Sequence, residues 1–154
     1  MASIGWGASH GIDWPDGHHG VRGERRRHPH WPAFARWFMS KVFSEPDSGE
    51  TIREFVEIAL DASPEILITQ ERETNWAAIP PLLKSVTIPT MLIHGDGDLT
   101  TPMSMVRALA DAMPDARLEI LPGGGHRPDI RTPARVNELI AAFLIRSPTD
   151  GASA

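Results

Sequence analysis

Two short apolar runs, residues 90–94 and 117–121, flank a single amphipathic stretch, and this order restricts the fold more than any other feature of the chain. Thr90-Met91-Leu92-Ile93-His94 leads into the turn Gly95-Asp96-Gly97-Asp98. Arg117-Leu118-Glu119-Ile120-Leu121 leads into Pro122-Gly123-Gly124-Gly125-His126. Between them Thr101-Pro102 opens a segment with Met105, Val106, Leu109, Ala110 and Met113 at helical spacing, closed by Pro114-Asp115-Ala116. Strand, helix, strand in this order predicts two parallel neighbours joined by a right-handed crossover. Both runs read as buried strands, and the β-branched, apolar character of the first already begins at Val86.

The loops that follow these runs open on the same edge of the sheet, where functional groups converge in parallel α/β structures. Asp98 and His126 stand on them. A carboxylate bonded to the far ring nitrogen orients a histidine and stabilises its cation, so the pair can serve as the acid and base of a nucleophilic triad. The glycines at 123–125 let the histidine loop turn tightly. A plainer role is available to each residue: aspartate often stabilises turns through its own backbone, and His126 can be an ordinary loop histidine. Asp96 falls early in its turn and reads as a turn residue, and His94 reads as structural.

The rest of the chain is organised around helices. Residues 1–30 are rich in glycine and histidine and lack any helical or alternating pattern, so they read as a poorly ordered tail, with Arg22, Arg25, Arg26 and Arg27 as a solvated basic run. From Trp31, the residues Phe34, Trp37, Phe38, Val42 and Phe43 recur at helical spacing. Ser48 offers an N-cap for a second helix carrying Ile52, Phe55, Val56, Ile58 and Leu60. Ser63-Pro64-Glu65 starts a third, since proline suits the first helical position. Residues 75–84, with Pro80-Pro81, read as a linking segment. Thr132-Pro133 opens a last helix with Val136, Leu139, Ile140, Phe143 and Leu144 as its buried stripe, and residues 147–154 form a second tail.

Composition narrows the function classes. At 154 residues and 41% hydrophobic, the chain has the size and apolar content of one domain. A net charge of −5 gives no electrostatic case for nucleic acid. The absence of cysteine rules out disulfides, thiolate catalysis and cysteine-ligated zinc. No membrane span and no secretory signal are expected, so the expected location is cytoplasmic. His10, Asp13, Asp16, His18 and His19 cluster in sequence but lack the helical spacing of a metal site, so no metal is expected.

At this point a resemblance enters. Residues 86–146 resemble the C-terminal part of an α/β-hydrolase. "IPTMLIHGDGDLTTP" is similar to that family's acid-bearing strand and loop, with Gly95, Asp98 and Pro102 in its pattern. "LEILPGGGHRPDIRTPARVNELIAAFL" is similar to its histidine loop and last helix. Residues 31–84 resemble the helical cap such enzymes carry, less specifically. The resemblance implies a partial α/β-hydrolase fold: a cap-like segment over 31–84, then a core portion over 85–146 with two parallel strands. It implies Asp98 as triad acid and His126 as base, hydrolysis of an ester, lactone or similar small acyl substrate, and no cofactor.

The family places its nucleophile in a Gly-x-Ser-x-Gly elbow between a strand and a helix. Gly7-Ala8-Ser9-His10-Gly11 matches these letters, yet only six residues precede it and Gly11-Ile12-Asp13-Trp14-Pro15 follows where a helix should begin. The N-terminal strands and the oxyanion-hole loop are missing as well. The expectation is therefore a truncated hydrolase lacking its nucleophile, with little turnover alone; the alternative is a non-catalytic remnant or interaction module. Without the nucleophile, the aspartate-based dehalogenase and epoxide chemistries stay open. An exposed sheet edge also predicts self-association.

Overall fold

A computed structural model describes residues 30–75 and 78–145. Ser9 and its elbow-like segment, the histidine–aspartate cluster near the start, the basic run and the final residues lie outside that range, as does Trp76. In chain order the elements are α1 (Trp31–Val42), α2 (Gly49–Asp61), α3 (Pro64–Glu73), α4 (Ile79–Leu83), β1 (Thr90–Gly95), α5 (Met103–Ala112), β2 (Ala116–Leu121), α6 (Pro128–Arg131) and α7 (Pro133–Ile145).

The two strands pair in parallel, with Thr90 opposite Ala116 and Gly95 opposite Leu121. Helix α5 makes the crossover and packs on both strands, Val106 being its buried residue. Paired residues of parallel strands share a face, and successive side chains alternate. Met91, Ile93 and Leu121 therefore point the same way, and there Val136 and Leu139 of α7 close a small core.

A second core lies between α1 and α2. Ala35, Val42, Phe43 and Val56 are buried, and the Phe43 ring sits 4.7 Å from that of Phe55. Along α1 the rings of Trp31, Phe34 and Phe38 succeed one another at helical spacing, each neighbouring pair under 6 Å apart at 5.7 and 5.6 Å. The chain passes from α1 to α2 through Asp47, whose φ of 61° is left-handed, a conformation aspartate tolerates better than most residues.

Several expectations need correction. The first strand starts at Thr90, as the run 90–94 predicts, and the β-branched residues from Val86 do not extend it: Pro89 has no N–H to give, and the first inter-strand bond runs from the Thr90 N–H to the Asp115 carbonyl. The strands are mostly half-buried, with only His94, Gly95 and Leu121 buried, since among the described residues no further strand flanks them. The stripe of α7 is buried at Val136 and Leu139 alone; Leu144 is 74% exposed and Ile140 is also open. Ser48 stands at the N-cap position of α2, but its hydroxyl bonds the Glu45 carbonyl instead, tightening the turn before the helix. The segment read as a linker contains α4, and α6 was not anticipated. Both are single turns with proline at their start, too short for a periodic signal. No helix among the described residues is long and apolar enough to cross a membrane.

Candidate active site

The site forms where the loops after β1 and β2 meet. In the β1 loop the Asp98 side chain is almost wholly buried, at 2% exposure, whereas the His126 side chain opposite it is 37% exposed. The two meet at 2.9 Å between Asp98 Oδ2 and His126 Nδ1.

The other carboxylate oxygen has a different task. Asp98 Oδ1 accepts the backbone N–H of Thr100 at 2.7 Å and that of Thr101 at 3.0 Å, and it lies 2.8 Å from the Thr100 hydroxyl. Turn-stabilising and histidine-orienting roles are therefore not alternatives for Asp98. One oxygen folds the loop and the other faces the ring. Burial pushes this carboxyl up, but the hydrogen bonds from His126, from the Thr101 and Thr100 amides and from the Thr100 hydroxyl outweigh it and hold it below the usual carboxylate value. Asp98 is thus ionised and accepts only.

With an acceptor against Nδ1, the proton of a neutral His126 belongs on Nδ1, which leaves the Nε2 lone pair as the basic one. Among the described residues Nε2 has no hydrogen-bond partner, and the ring nitrogens contact no serine. Thr100 Oγ1 also lies 2.6 Å from Nδ1. The buried His94 Nδ1 stands 3.8 Å from Asp98 Oδ2, too far for a hydrogen bond but near enough to face the carboxylate. Asp96 accepts the Gly123 N–H at 2.6 Å and so braces one loop against the other, as a turn residue would.

The turn after α1 grips both loops. The Val42 carbonyl accepts the His126 N–H at 3.2 Å, Glu45 Oε1 accepts the Gly125 N–H at 2.8 Å, and the Ser44 hydroxyl donates to the Gly97 carbonyl at 3.0 Å. Arg131 of α6 donates to the Pro46 carbonyl at 3.0 Å, and the Arg127 guanidinium sits over the Phe55 ring at 5.7 Å. Ser44, Glu45 and Thr100 did not stand out in the sequence, and Val42 did so only as an apolar helix position. For Thr100 a faint signal existed in its place two residues after the acid; for the others there was none, because their partners lie far along the chain. Among the described residues no cluster of three or more histidine or acidic side chains is placed to hold a metal ion.

The profile of the Alpha/beta hydrolase family matches residues 1–139. The chain belongs to this family. Over 63 residues it is 35% identical to a proline iminopeptidase of Lactobacillus delbrueckii subsp. lactis, covering 41% of this chain and 21% of that protein. Over 75 residues it is 39% identical to a pimeloyl-[acyl-carrier protein] methyl ester esterase of Aromatoleum aromaticum, covering 49% of this chain and 27% of that one. Among solved structures, a bromoperoxidase from Bacillus anthracis superposes with a TM-score of 0.64 at 27% identity, over 75% of this chain and 44% of its own. A thermophilic esterase from Thermogutta terrifontis superposes at 0.66 and 23% identity, over 77% and 45%, and shows the shared fold. The chain thus spans under a third of these two curated hydrolases' lengths and under half of these solved structures. It carries a partial α/β-hydrolase fold, with helices and a two-stranded parallel sheet.

Proposed function

We propose that Asp98 and His126 are the acid and base of a Ser-His-Asp triad that hydrolyses an ester, lactone or similar acyl bond. The observation that carries this reading is the buried, ionised Asp98 held 2.9 Å from Nδ1 of a half-exposed His126, with Nε2 unbonded among the described residues. In such a site Nε2 takes the proton of a serine hydroxyl as that oxygen attacks the acyl carbon, then hands it to the departing oxygen or nitrogen. Water repeats the cycle and frees the acid. Asp98 keeps Nδ1–H pointed at itself and balances the imidazolium formed in between. No cofactor enters this chemistry. That curated relatives are named as an esterase and a peptidase supports acyl transfer as the reaction class. Helices α1–α4 fit the role of the cap that would select the substrate, and the contacts of the α1–α2 turn with both loops favour it.

The nucleophile is the open part of this reading. Ser9 carries the elbow's letters but lies outside the described residues, and we take the isolated chain to show little turnover. The test is an assay of the purified chain with a generic activated ester, beside Ser9→Ala and His126→Ala. Equal background rates in all three are expected. Robust activity lost in both variants would instead make Ser9 the nucleophile. The base role is tested separately by grafting the matching C-terminal segment, which contains both loops, into the Aromatoleum esterase. His126→Ala should then cost about 10³-fold or more in kcat. A graft that folds and works equally well without His126 would leave the non-catalytic reading in its place.

A further inference from the structure

We propose that Thr100 is a positioning residue of this site, its hydroxyl holding the His126 ring in the Nδ1-protonated form from a second side while tying that ring to Asp98. The inference rests on reading His126 as a base, and it begins from two distances. Thr100 Oγ1 lies 2.8 Å from Asp98 Oδ1 and 2.6 Å from His126 Nδ1, so one hydroxyl spans the acid and the histidine.

The single hydroxyl proton decides the arrangement. Asp98 has no proton to share: Oδ1 already takes the Thr100 and Thr101 amides, and Oδ2 faces Nδ1. If Thr100 donated to Nδ1, that nitrogen would be bare. Two acceptors, Nδ1 and Oδ2, would then confront each other at 2.9 Å with no hydrogen between them. If Thr100 donates to Oδ1 instead, every contact is satisfied. Nδ1–H is shared between Asp98 Oδ2 and an oxygen lone pair of Thr100, a three-centre bond. The hydroxyl oxygen is then a second acceptor for the same proton, and a second anchor on Nδ1 resists rotation of the ring about Cβ–Cγ. When Nε2 gains a proton, the same lone pair faces the cation. The loop's own geometry supplies the placement, because the Thr100 amide is fixed to the carboxylate that its side chain also meets.

The experiment follows the proton and needs no turnover. In the full chain with nitrogen-15-labelled histidine, the His126 ring signals are assigned by their loss in His126→Ala, and exchange of Nδ1–H with water is measured. Thr100→Val keeps the shape and removes the hydroxyl; Thr100→Ser keeps the hydroxyl. Exchange should be about tenfold faster in Thr100→Val, the factor set by one net hydrogen bond, and near wild type in Thr100→Ser. Unchanged exchange in a folded Thr100→Val, no rescue by serine, or a wild-type His126 protonated on Nε2 would each overturn the assignment. Should Thr100→Val not fold, Thr100→Ala against Thr100→Ser gives the same comparison. In the esterase graft the loss should fall on kcat and spare KM. A graft indifferent to His126 whose Nδ1–H still answers to Thr100 would sink the catalytic reading and leave the positioning intact.

Discussion

Gly95 and Gly124 touch backbone to backbone: a Cβ on Gly95 would lie 2.1 Å from the Gly124 carbonyl oxygen and 2.5 Å from that of Gly125. That carbonyl of Gly124 also accepts the Gly97 N–H at 2.9 Å, so the acid loop and the histidine loop are locked by main chain as well as by side chains. The contact lies between the end of β1 and the loop after β2, three residues before Asp98 and two before His126.

Gly95→Ala follows from it. The atoms that a methyl would meet are backbone and cannot swing aside, so one loop has to move. We expect a loss of about 1–3 kcal/mol or more, as for overpacked interiors, and loss of the Asp98–His126 hydrogen bond. Thermal unfolding and the His126 Nδ1–H signal check this. A folded variant of wild-type stability with that signal intact would contradict it.

Asp98 predicts a pH dependence. Its carboxyl titrates lower in the folded chain than in the unfolded one. Its contribution is therefore full above the unfolded value of about 4 and is lost as pH falls through the lower folded value. Asp98→Asn should be less stable than wild type at neutral pH, and the gap should close as the pH drops below about 4. Urea unfolding of both proteins across the acid range measures it; a gap independent of pH would show that the charge is not what stabilises the loop.

Glu45 allows a comparison between charge and hydrogen bond. Its Oε1 accepts the Gly125 N–H, whereas Oε2 is buried and finds no hydrogen bond among the described residues. Glu45→Gln retains the acceptor for Gly125 but sets an amide NH2 where Oε2 has no partner, so it should lose less than Glu45→Ala without exceeding wild type. Glu45→Ala leaves the Gly125 amide unanswered and should cost roughly 1–3 kcal/mol. Denaturant midpoints decide. Equal losses in both variants would place the effect in the charge instead.

The sheet edges predict association. Only β1 and β2 pair among the described residues, so each has one unbonded edge there, and Ile88, Leu99, Leu144 and Ile145 are well exposed. Unpaired edges beside apolar surface recruit further strands. Sizing of the isolated chain should show oligomers whose population rises with concentration; a monomer throughout would remove the edge as a binding surface.

The crossover unit was legible because its signals are local. Apolar runs bounded by glycine and proline set the strands, a helical spacing of Met105, Val106 and Leu109 set the crossover, and the handedness of such connections brought Asp98 and His126 to one edge. What the sequence by itself determined is thus the order of elements, the parallel pairing and the two loops that face each other. Only the tertiary structure decided how those loops are held. Ser44 reaches Gly97 across 53 positions and Glu45 reaches Gly125 across 80, and no periodicity records which distant main-chain groups a polar side chain will satisfy. It decided the division of labour within Asp98 and the bridging place of Thr100, because both depend on distances of a few tenths of an ångström. It also decided which apolar residues stay exposed: Leu144 shares the pattern of Val136 and Leu139, but burial needs a partner surface, and Leu144 is not in the cluster that Val136 and Leu139 join.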